Sequence, residues 1–299
     1  MSTLESSRCG FVAIVGRPNV GKSTLLNALV GEKISIVTDK PHTTRQRVLG
    51  VLNRGADQAV FIDTPGHARR TKRALHRLMA RQIHQALEDC DVALLVVEAS
   101  GMTSQDYALI EILGDKLDRT FLVLNKIDAL KSKTEVLPTL TKMSKQPFAA
   151  LIPVAAKTHD NLDHLVAELF ARLPEGPALF PLDMVTDRDL AFRVAEVIRE
   201  KLMTLVHKEV PYGLTVEVEH LGTNEEGQRV VHGLVWIERE SQKSIVIGKQ
   251  GQVLKQAGTA ARLELMKLMG DRVHLELWVK VREHWADSER ELQRLGFDV

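Results

Sequence analysis

Residues Gly16 to Ser23 spell G-x-x-x-x-G-K-S, two glycines, a lysine and a hydroxyl at a spacing that can cradle phosphate. The backbone N–H groups of such a loop turn inward as an anion nest. Lys22 would then reach the outer phosphates, and the Ser23 hydroxyl would ligate Mg²⁺. The loop needs a strand before it and a helix after it. Phe11 to Val15 is a short apolar run rich in β-branched residues and reads as a buried strand. Thr24 to Val30 continues with helical character, so a helix N-terminus adds its positive dipole end to the nest. The candidate contacts are Gly16, Arg17, Pro18, Asn19, Val20, Gly21, Lys22, Ser23 and Thr24. The competing reading is a glycine-rich turn with a chance Gly-Lys-Ser, and the downstream residues argue against it.

A polar stretch between two expected strands, Ile34–Val37 and Val48–Leu52, holds Thr43-Thr44-Arg45. One of its threonines, Thr44 or Thr43, would place a hydroxyl on Mg²⁺ and an N–H on a terminal phosphate. That contact exists only in a triphosphate state. The next strand, Gln58–Ile62, runs into Asp63-Thr64-Pro65-Gly66. A carboxylate at a strand end can hold Mg²⁺ through water, and Gly66 lets a backbone N–H approach a γ-phosphate. His67 follows directly. Arg69, Arg70, Lys72, Arg73, Arg77 and Arg81 come next without an intervening acid; a solvated helix face is the simpler reading and a nucleic-acid phosphate contact the sharper one.

Two further expected strands, Asp91–Val97 and Phe121–Leu124, lead to Asn125-Lys126-Ile127-Asp128. The Asp128 carboxylate only accepts hydrogen bonds. Guanine offers it two donors, the ring N1–H and the exocyclic amine, whereas adenine would present a lone pair. A site that leaves a buried polar group unpaired rejects the wrong base by orders of magnitude. Asn125 would tie its loop to the base, and the Lys126 stem would lie along the base plane. After a last strand, Leu151–Val154, come Ala155-Ala156-Lys157, with the Ala156 N–H expected at the guanine O6. Strands alternating with helices imply an α/β fold with a mainly parallel sheet and flanking helices, binding its ligand at the carboxyl ends of the strands.

The length, 299 residues, suggests about two domains. A formal charge of +1 supplies no global field for nucleic acid or membrane, so any such binding is local. No apolar run approaches a membrane span, and the polar start, Met1–Ser7, does not read as a secretory signal. Cys9 and Cys90 form no C-x-x-C pair and fit reduced thiols in a cytoplasmic protein. The histidines are scattered without ligand spacing. The Pro/Gly-containing stretch from Pro174 to Pro181 sets the expected organisation: a first domain over 1–175, a linker over 176–189 and a second domain over 190–299.

In the second half, Thr186-x-x-Asp189 resembles a capping box, and the helix it opens places Phe192, Ala195, Ile198, Leu202 and Leu205 on one face. Leu214–Leu221 and Arg229–Ile237 read as paired strands. Ile245-Val246-Ile247 leads into Gly248-Lys249-Gln250-Gly251, followed by two helical stretches, Gln252–Ala257 and Thr259–Met269, and a final strand over Val273–Val281. The order α-β-β-(G-x-x-G)-α-β fits an α+β type 2 KH domain, whose loop clamps about four single-stranded nucleotides. Lys243, Lys249, Lys255 and Arg262 gather there with Ile247, Gly248, Gln250 and Gly251. From Pro181 onward the chain carries 20 acidic against 17 basic residues, so an RNA surface here is one face only.

Gly16–Ser23, Thr43–Arg45, Asp63–Gly66, Asn125–Asp128 and Ala155–Lys157 stand in the order of the GTPase motifs. The spelling G-R-P-N-V-G-K-S-T-L-L-N with T-T-R and D-T-P-G resembles the bacterial Era-like GTPases, and the likeness runs from about Phe11 to Phe297. Ala155 departs from the usual Ser of the last motif, at little expected cost because the contact is made by the Ala156 backbone. The resemblance implies a P-loop GTPase domain followed by a KH domain, with GTP or GDP and Mg²⁺ as ligands. The expected partners are the 3′ end of 16S ribosomal RNA and the 30S subunit, and a monomer is expected. Contact with the inner membrane would have to be peripheral. D-T-P-G-H also looks like translational GTPases, which implies that His67 positions the attacking water. Asn19 matches the position that helps hold K⁺ in potassium-dependent relatives. Three other readings stay open: an ATPase or kinase, a translation factor, and a GTPase that signals to a protein partner while its KH fold is only structural.

Overall fold

Apolar runs of four to seven residues in the first half have both faces covered, as the strands of a helix-flanked parallel sheet must. The structure is a computed structural model that describes residues 7–66 and 73–298. His67, Arg69, Arg70 and Lys72 therefore lie outside the described residues. The first unit contains β1 (Cys9–Val15), α1 (Lys22–Val30), β2 (Val48–Arg54), β3 (Asp57–Asp63), α2 (Ala74–Asp89), β4 (Val92–Glu98), α3 (Ser104–Leu113), β5 (Thr120–Asn125), α4 (Leu137–Met143), β6 (Ala150–Pro153) and α5 (Leu162–Phe170). Its sheet has the order β2-β3-β1-β4-β5-β6. Only β2 runs antiparallel, against β3. One core continues from Val15, Ile62 and Leu95 of the sheet to Ile83 of α2 and Leu109 and Leu113 of α3.

The second unit consists mainly of the chain from Arg188 onward. It contains α6 (Leu190–Leu205), β7 (Leu214–Thr223), β8 (Arg229–Ile237), α7 (Glu240–Ile247), α8 (Gln252–Met269), β9 (Val273–Val281) and α9 (Glu289–Arg294). β8 pairs antiparallel with β7 and parallel with β9. Val194, Ile198 and Leu202 of α6 and Ala257, Ala261 and Leu265 of α8 pack with Val231, Val235 and Ile237 of β8 in a separate core.

Four local readings change. Ile34–Val37 forms no strand: the Asn27 carboxamide takes the N–H groups of Ile34 (3.0 Å) and Ser35 (2.9 Å) and donates to the Ser35 carbonyl (2.7 Å), which replaces a ladder. The run Ile245–Ile247 ends a helix, α7, that precedes the G-x-x-G loop. The two expected helical stretches after that loop are one helix, α8, which tolerates Gly258 in its interior. The cap of α6 is Asp189 itself, whose carboxylate accepts the Phe192 N–H at 2.8 Å, so Asp189 is the N-cap and not the third residue of a capping box begun at Thr186.

The expected linker is built into the first unit as far as Asp187. Val51 donates to the Val185 carbonyl at 2.9 Å, Leu49 to Asp187 Oδ1 at 3.0 Å and Asn53 to the Leu182 carbonyl at 2.8 Å. Gln58 Oε1 accepts the N–H groups of Leu179 and Phe180. The segment thus covers the open edge of β2, which would otherwise be free to pair with another chain. Replacing the α6 cap, Asp189→Ala, should lower stability by about 1 kcal/mol, read by chemical denaturation of the full chain.

Candidate functional site

The carboxyl ends of β1, β3 and β5 carry three of the expected motifs, and Thr44 before β2 and Ala156 after β6 join them. Lys22 opens α1 and is buried; its Nζ donates to the carbonyls of Gly16 (3.1 Å) and Arg17 (3.0 Å). Ser23 Oγ donates to Asp63 Oδ2 at 2.8 Å and lies 2.9 Å from Thr44 Oγ1. Thr44 Oγ1 is itself 3.4 Å from the same carboxylate oxygen. Of the two candidate threonines, Thr44 therefore joins this cluster. Thr43 bonds instead to Thr38 (2.6 Å) and the Lys40 carbonyl (2.7 Å). Ser35, not foreseen from the sequence, donates to Asp63 Oδ2 at 2.8 Å. It is a serine in the turn that Asn27 holds after α1, and nothing in the sequence pattern ranks it above other serines.

Asp63 is wholly buried, and its Oδ1 has no hydrogen-bond partner among the described residues. Burial pushes its carboxyl up from the usual range, against the pull of Lys22 and the bonds from Ser35, Ser23 and Thr44. A buried carboxylate oxygen without a donor, surrounded by hydroxyls, suits a hard divalent cation that prefers oxygen ligands. Thr64 turns its hydroxyl back to the Ile14 carbonyl at 2.8 Å, holding β3 to β1, and Pro65 and Gly66 are buried beside it.

On the base side, the Asn125 carboxamide is a clamp between three loops. Nδ2 donates to the Val20 carbonyl at 2.9 Å, and Oδ1 accepts the N–H groups of Lys126 (2.8 Å) and Ala156 (3.0 Å). The Ala156 N–H, expected at the guanine O6, is engaged here by Asn125, whose side chain serves the loops where the sequence assigned it to the base. Gly21 makes this possible: it has φ +95°, and a Cβ there would lie 2.4 Å from Asn125 Nδ2. Lys126 has φ +68° and sends Nζ to the Asn19 carbonyl at 2.7 Å. Asp128 and Lys157 are exposed, Ala155 is buried and Thr24 is half-buried.

In the second unit, Gly248–Gly251 forms a tight turn between α7 and α8. A Cβ on Gly248 would meet Val253 Cγ2 at 2.5 Å, so only glycine lets the turn close onto α8. Lys249 and Gln250 stand exposed at its tip, with Gln250 at φ +52°. A groove of about 370 Å³ continues from the turn, lined by Gly251 of the turn, by Leu254, Lys255, Gly258, Thr259 and Arg262 of α8 and by Leu275 and Leu277 of β9. Lys255 and Arg262 thus share one apolar-floored groove. Lys243 stands on α7, paired with Glu240 at 3.5 Å, and Ile247 is half-buried.

A parallel sheet with a phosphate-binding loop, a hydroxyl–carboxylate cluster and an Asn–Lys clamp defines a P-loop GTPase domain, here followed by a KH domain. The family model of a 50S ribosome-binding GTPase matches residues 11–126, and that of the KH domain matches residues 209–286. The chain is 46% identical to GTPase Era of Glaesserella parasuis serovar 5 (strain SH0165) over 99% of each chain. It is 44% identical to GTPase Era of Yersinia pestis (strain Pestoides F), over 99% of this chain and 98% of that one. A crystal structure of Era in complex with MgGDPNP and nucleotides 1506–1542 of 16S ribosomal RNA superimposes with a TM-score of 0.93 at 39% identity, covering 98% of this chain and 100% of the other. The chain belongs to the Era family of GTPases.

Burial lowers the Lys22 pKa to about 8 from its ordinary 10.5; the Asp63 carboxylate opposes that shift and Arg17 adds to it. Between those two values the folded protein binds fewer protons than the unfolded chain, so this group makes the fold gain stability as pH rises through the window. A bound phosphate would restore the charge. At pH 8.5, GDP binding should take up between about half and one proton, against little at pH 7. Calorimetry in two buffers of different ionisation enthalpy measures this, and no uptake at pH 8.5 would mean that Lys22 is already fully charged in the free protein.

Proposed function

We propose that this GTPase is a switch in which the nucleotide governs the binding of single-stranded RNA at the 3′ end of 16S ribosomal RNA, as a monomer acting in maturation of the 30S subunit. The observation that carries the reading is the meeting of Ser23, Thr44 and Asp63. A hydroxyl of the phosphate loop, a threonine of a long polar loop and the carboxylate ending β3 converge on one point. A change at the terminal phosphate is thereby felt by loops that carry no base contact. The relative solved with MgGDPNP and 16S nucleotides supports the choice of RNA.

Gly16–Thr24 would wrap the phosphates, with Lys22 exchanging its carbonyl partners for phosphate oxygens. Ser23, Thr44 and, through water, Asp63 would hold Mg²⁺, which neutralises charge on the β- and γ-phosphates. Thr64, Pro65 and Gly66 would line the γ-phosphate. Lys126 and Asp128 would hold guanine, with Asn125 tying the loops around it and Ala155, Ala156 and Lys157 closing over its edge. Two residues are proposed for hydrolysis: His67, outside the described residues, to position the attacking water, and Asn19 to help hold K⁺. The membrane contact proposed here is peripheral; no helix among the described residues is long and apolar enough to cross a membrane.

Affinity for a 16S 3′-end oligonucleotide at one fixed salt should be tighter with a non-hydrolysable GTP analogue than with GDP. Equal binding would detach the nucleotide from RNA recognition, and no binding in either state would leave the KH domain a scaffold. Lys255→Ala with Arg262→Ala should weaken that binding and flatten its salt slope by about one for each phosphate that is no longer neutralised. An unchanged slope would place the RNA elsewhere. For hydrolysis, His67→Ala should slow single-turnover GTP cleavage, and replacing K⁺ by Na⁺ should slow it separately; parent rates in either case remove the corresponding residue from the mechanism.

A further inference from the structure

Glu98 is the last residue of β4 and lies across the ladder from Asn125, the last residue of β5. It belongs to none of the motifs that bind phosphate or base, yet its two carboxylate oxygens are divided between two of them. Oε2 accepts from Arg17 Nη2 at 2.6 Å, and Oε1 accepts from Lys126 Nζ at 2.5 Å. The same Nζ donates to the Asn19 carbonyl. Arg17 also reaches Asp106 Oδ2 at 3.3 Å, and Asp106 is fully buried where it accepts the N–H and hydroxyl of Thr103 at the start of α3.

Glu98 therefore touches both the phosphate loop and the lysine beside the base. Burial raises its carboxyl, but the bonds from Lys126 and Arg17 outweigh burial and hold it below its usual range, so it is ionised at neutral pH. Lys126 needs such a partner. Its side chain is 40% exposed, and a lysine is a point charge on a flexible four-carbon stem that keeps no single rotamer unaided. Without the carboxylate, Arg17 would keep Asp106 as its acidic partner, and Lys126 would keep only the Asn19 carbonyl.

We propose that Glu98 is a positioning residue for guanine-nucleotide binding: it pins Lys126 onto the Asn19 carbonyl and keeps the Arg17 guanidinium on the α3 side of the loop. The inference rests on the reading of this pocket as the guanine-nucleotide site. Its signal in sequence was slight, a single carboxylate ending an otherwise apolar strand.

The test is a double-mutant cycle in the full-length protein, with dissociation of fluorescent methylanthraniloyl-GDP as the readout. Glu98→Gln keeps the shape and removes the charge. It should weaken binding about tenfold, the size of one charge-assisted hydrogen bond, mainly through faster release. In a Lys126→Ala background the same change should cost distinctly less than tenfold, because only the Arg17 contact is left for it to act through. Glu98→Asp, which keeps the charge on a shorter arm, should recover part of the loss, and it carries the cycle if the Gln variant does not fold. Unchanged or tighter binding in Glu98→Gln overturns the proposal, and so does a full tenfold loss in the Lys126→Ala background. Failure of the parent protein to bind the probe would instead refute the guanine-site reading itself.

Discussion

A carboxylate with no exposed surface is costly unless charge or hydrogen bonds compensate it. Asp63 is that carboxylate, and the first unit is arranged to compensate it. Lys22 brings a buried cation whose charge favours it, and Ser23, Ser35 and Thr44 bring three hydroxyls to one oxygen, Oδ2. Each hydroxyl comes from a different segment, so the helix after the phosphate loop, the turn after α1 and the loop before β2 are fixed by their relation to a single strand end. One oxygen, Oδ1, is left for a partner from outside the described residues. The fold stores in that arrangement the unfavourable charged forms of both Lys22 and Asp63, a strain that a phosphate and a divalent cation would relieve together.

The base side is held by a different physics. There the links are side chain to backbone: Asn125 to Val20, Lys126 and Ala156, and Lys126 to Asn19. A neutral carboxamide can accept two N–H groups and donate to one carbonyl at once, so three loops are tied without burying further charge. Glu98 adds an ionic tie, and its cost is moderated because both its partners stay partly exposed. The Asn125 side of the pocket is thus tied mainly by hydrogen bonds to backbone, and the Asp63 side by charge and hydroxyls.

The second unit solves a simpler problem. The proposed RNA groove combines a tight turn, which Gly248 allows, with Lys255 and Arg262 beside the apolar Leu275 and Leu277. Acids outnumber bases over the second half as a whole, which confines attraction for a polyanion to that groove. The segment before it, up to Asp187, is spent covering the edge of β2, which explains why a stretch that reads as a free connector is ordered.

The sequence by itself determined a two-unit organisation, the six sheet strands of the first half, and where the G-x-x-x-x-G-K-S, Asn-Lys-x-Asp and G-x-x-G loops fall. These depend on periodicity and on short spacings between residues that act within one loop, and such relations survive in a one-dimensional string. It also singled out Asp63 and Asn125, polar groups that end apolar strands, and Lys22, by its place in the glycine-bounded loop. Only the tertiary structure decided the rest. It chose Thr44 over Thr43, since both are hydroxyls in one polar stretch and only the fold aims one of them at Ser23. It turned Ile34–Val37 from a strand into a loop held by Asn27, and Ile245–Ile247 into the end of a helix, because short apolar runs fit either state until their backbone partners are known. It brought Ser35 and Glu98 into the site across 28 and 81 residues of chain, contacts that no local pattern encodes because they exist only where separate strand ends meet.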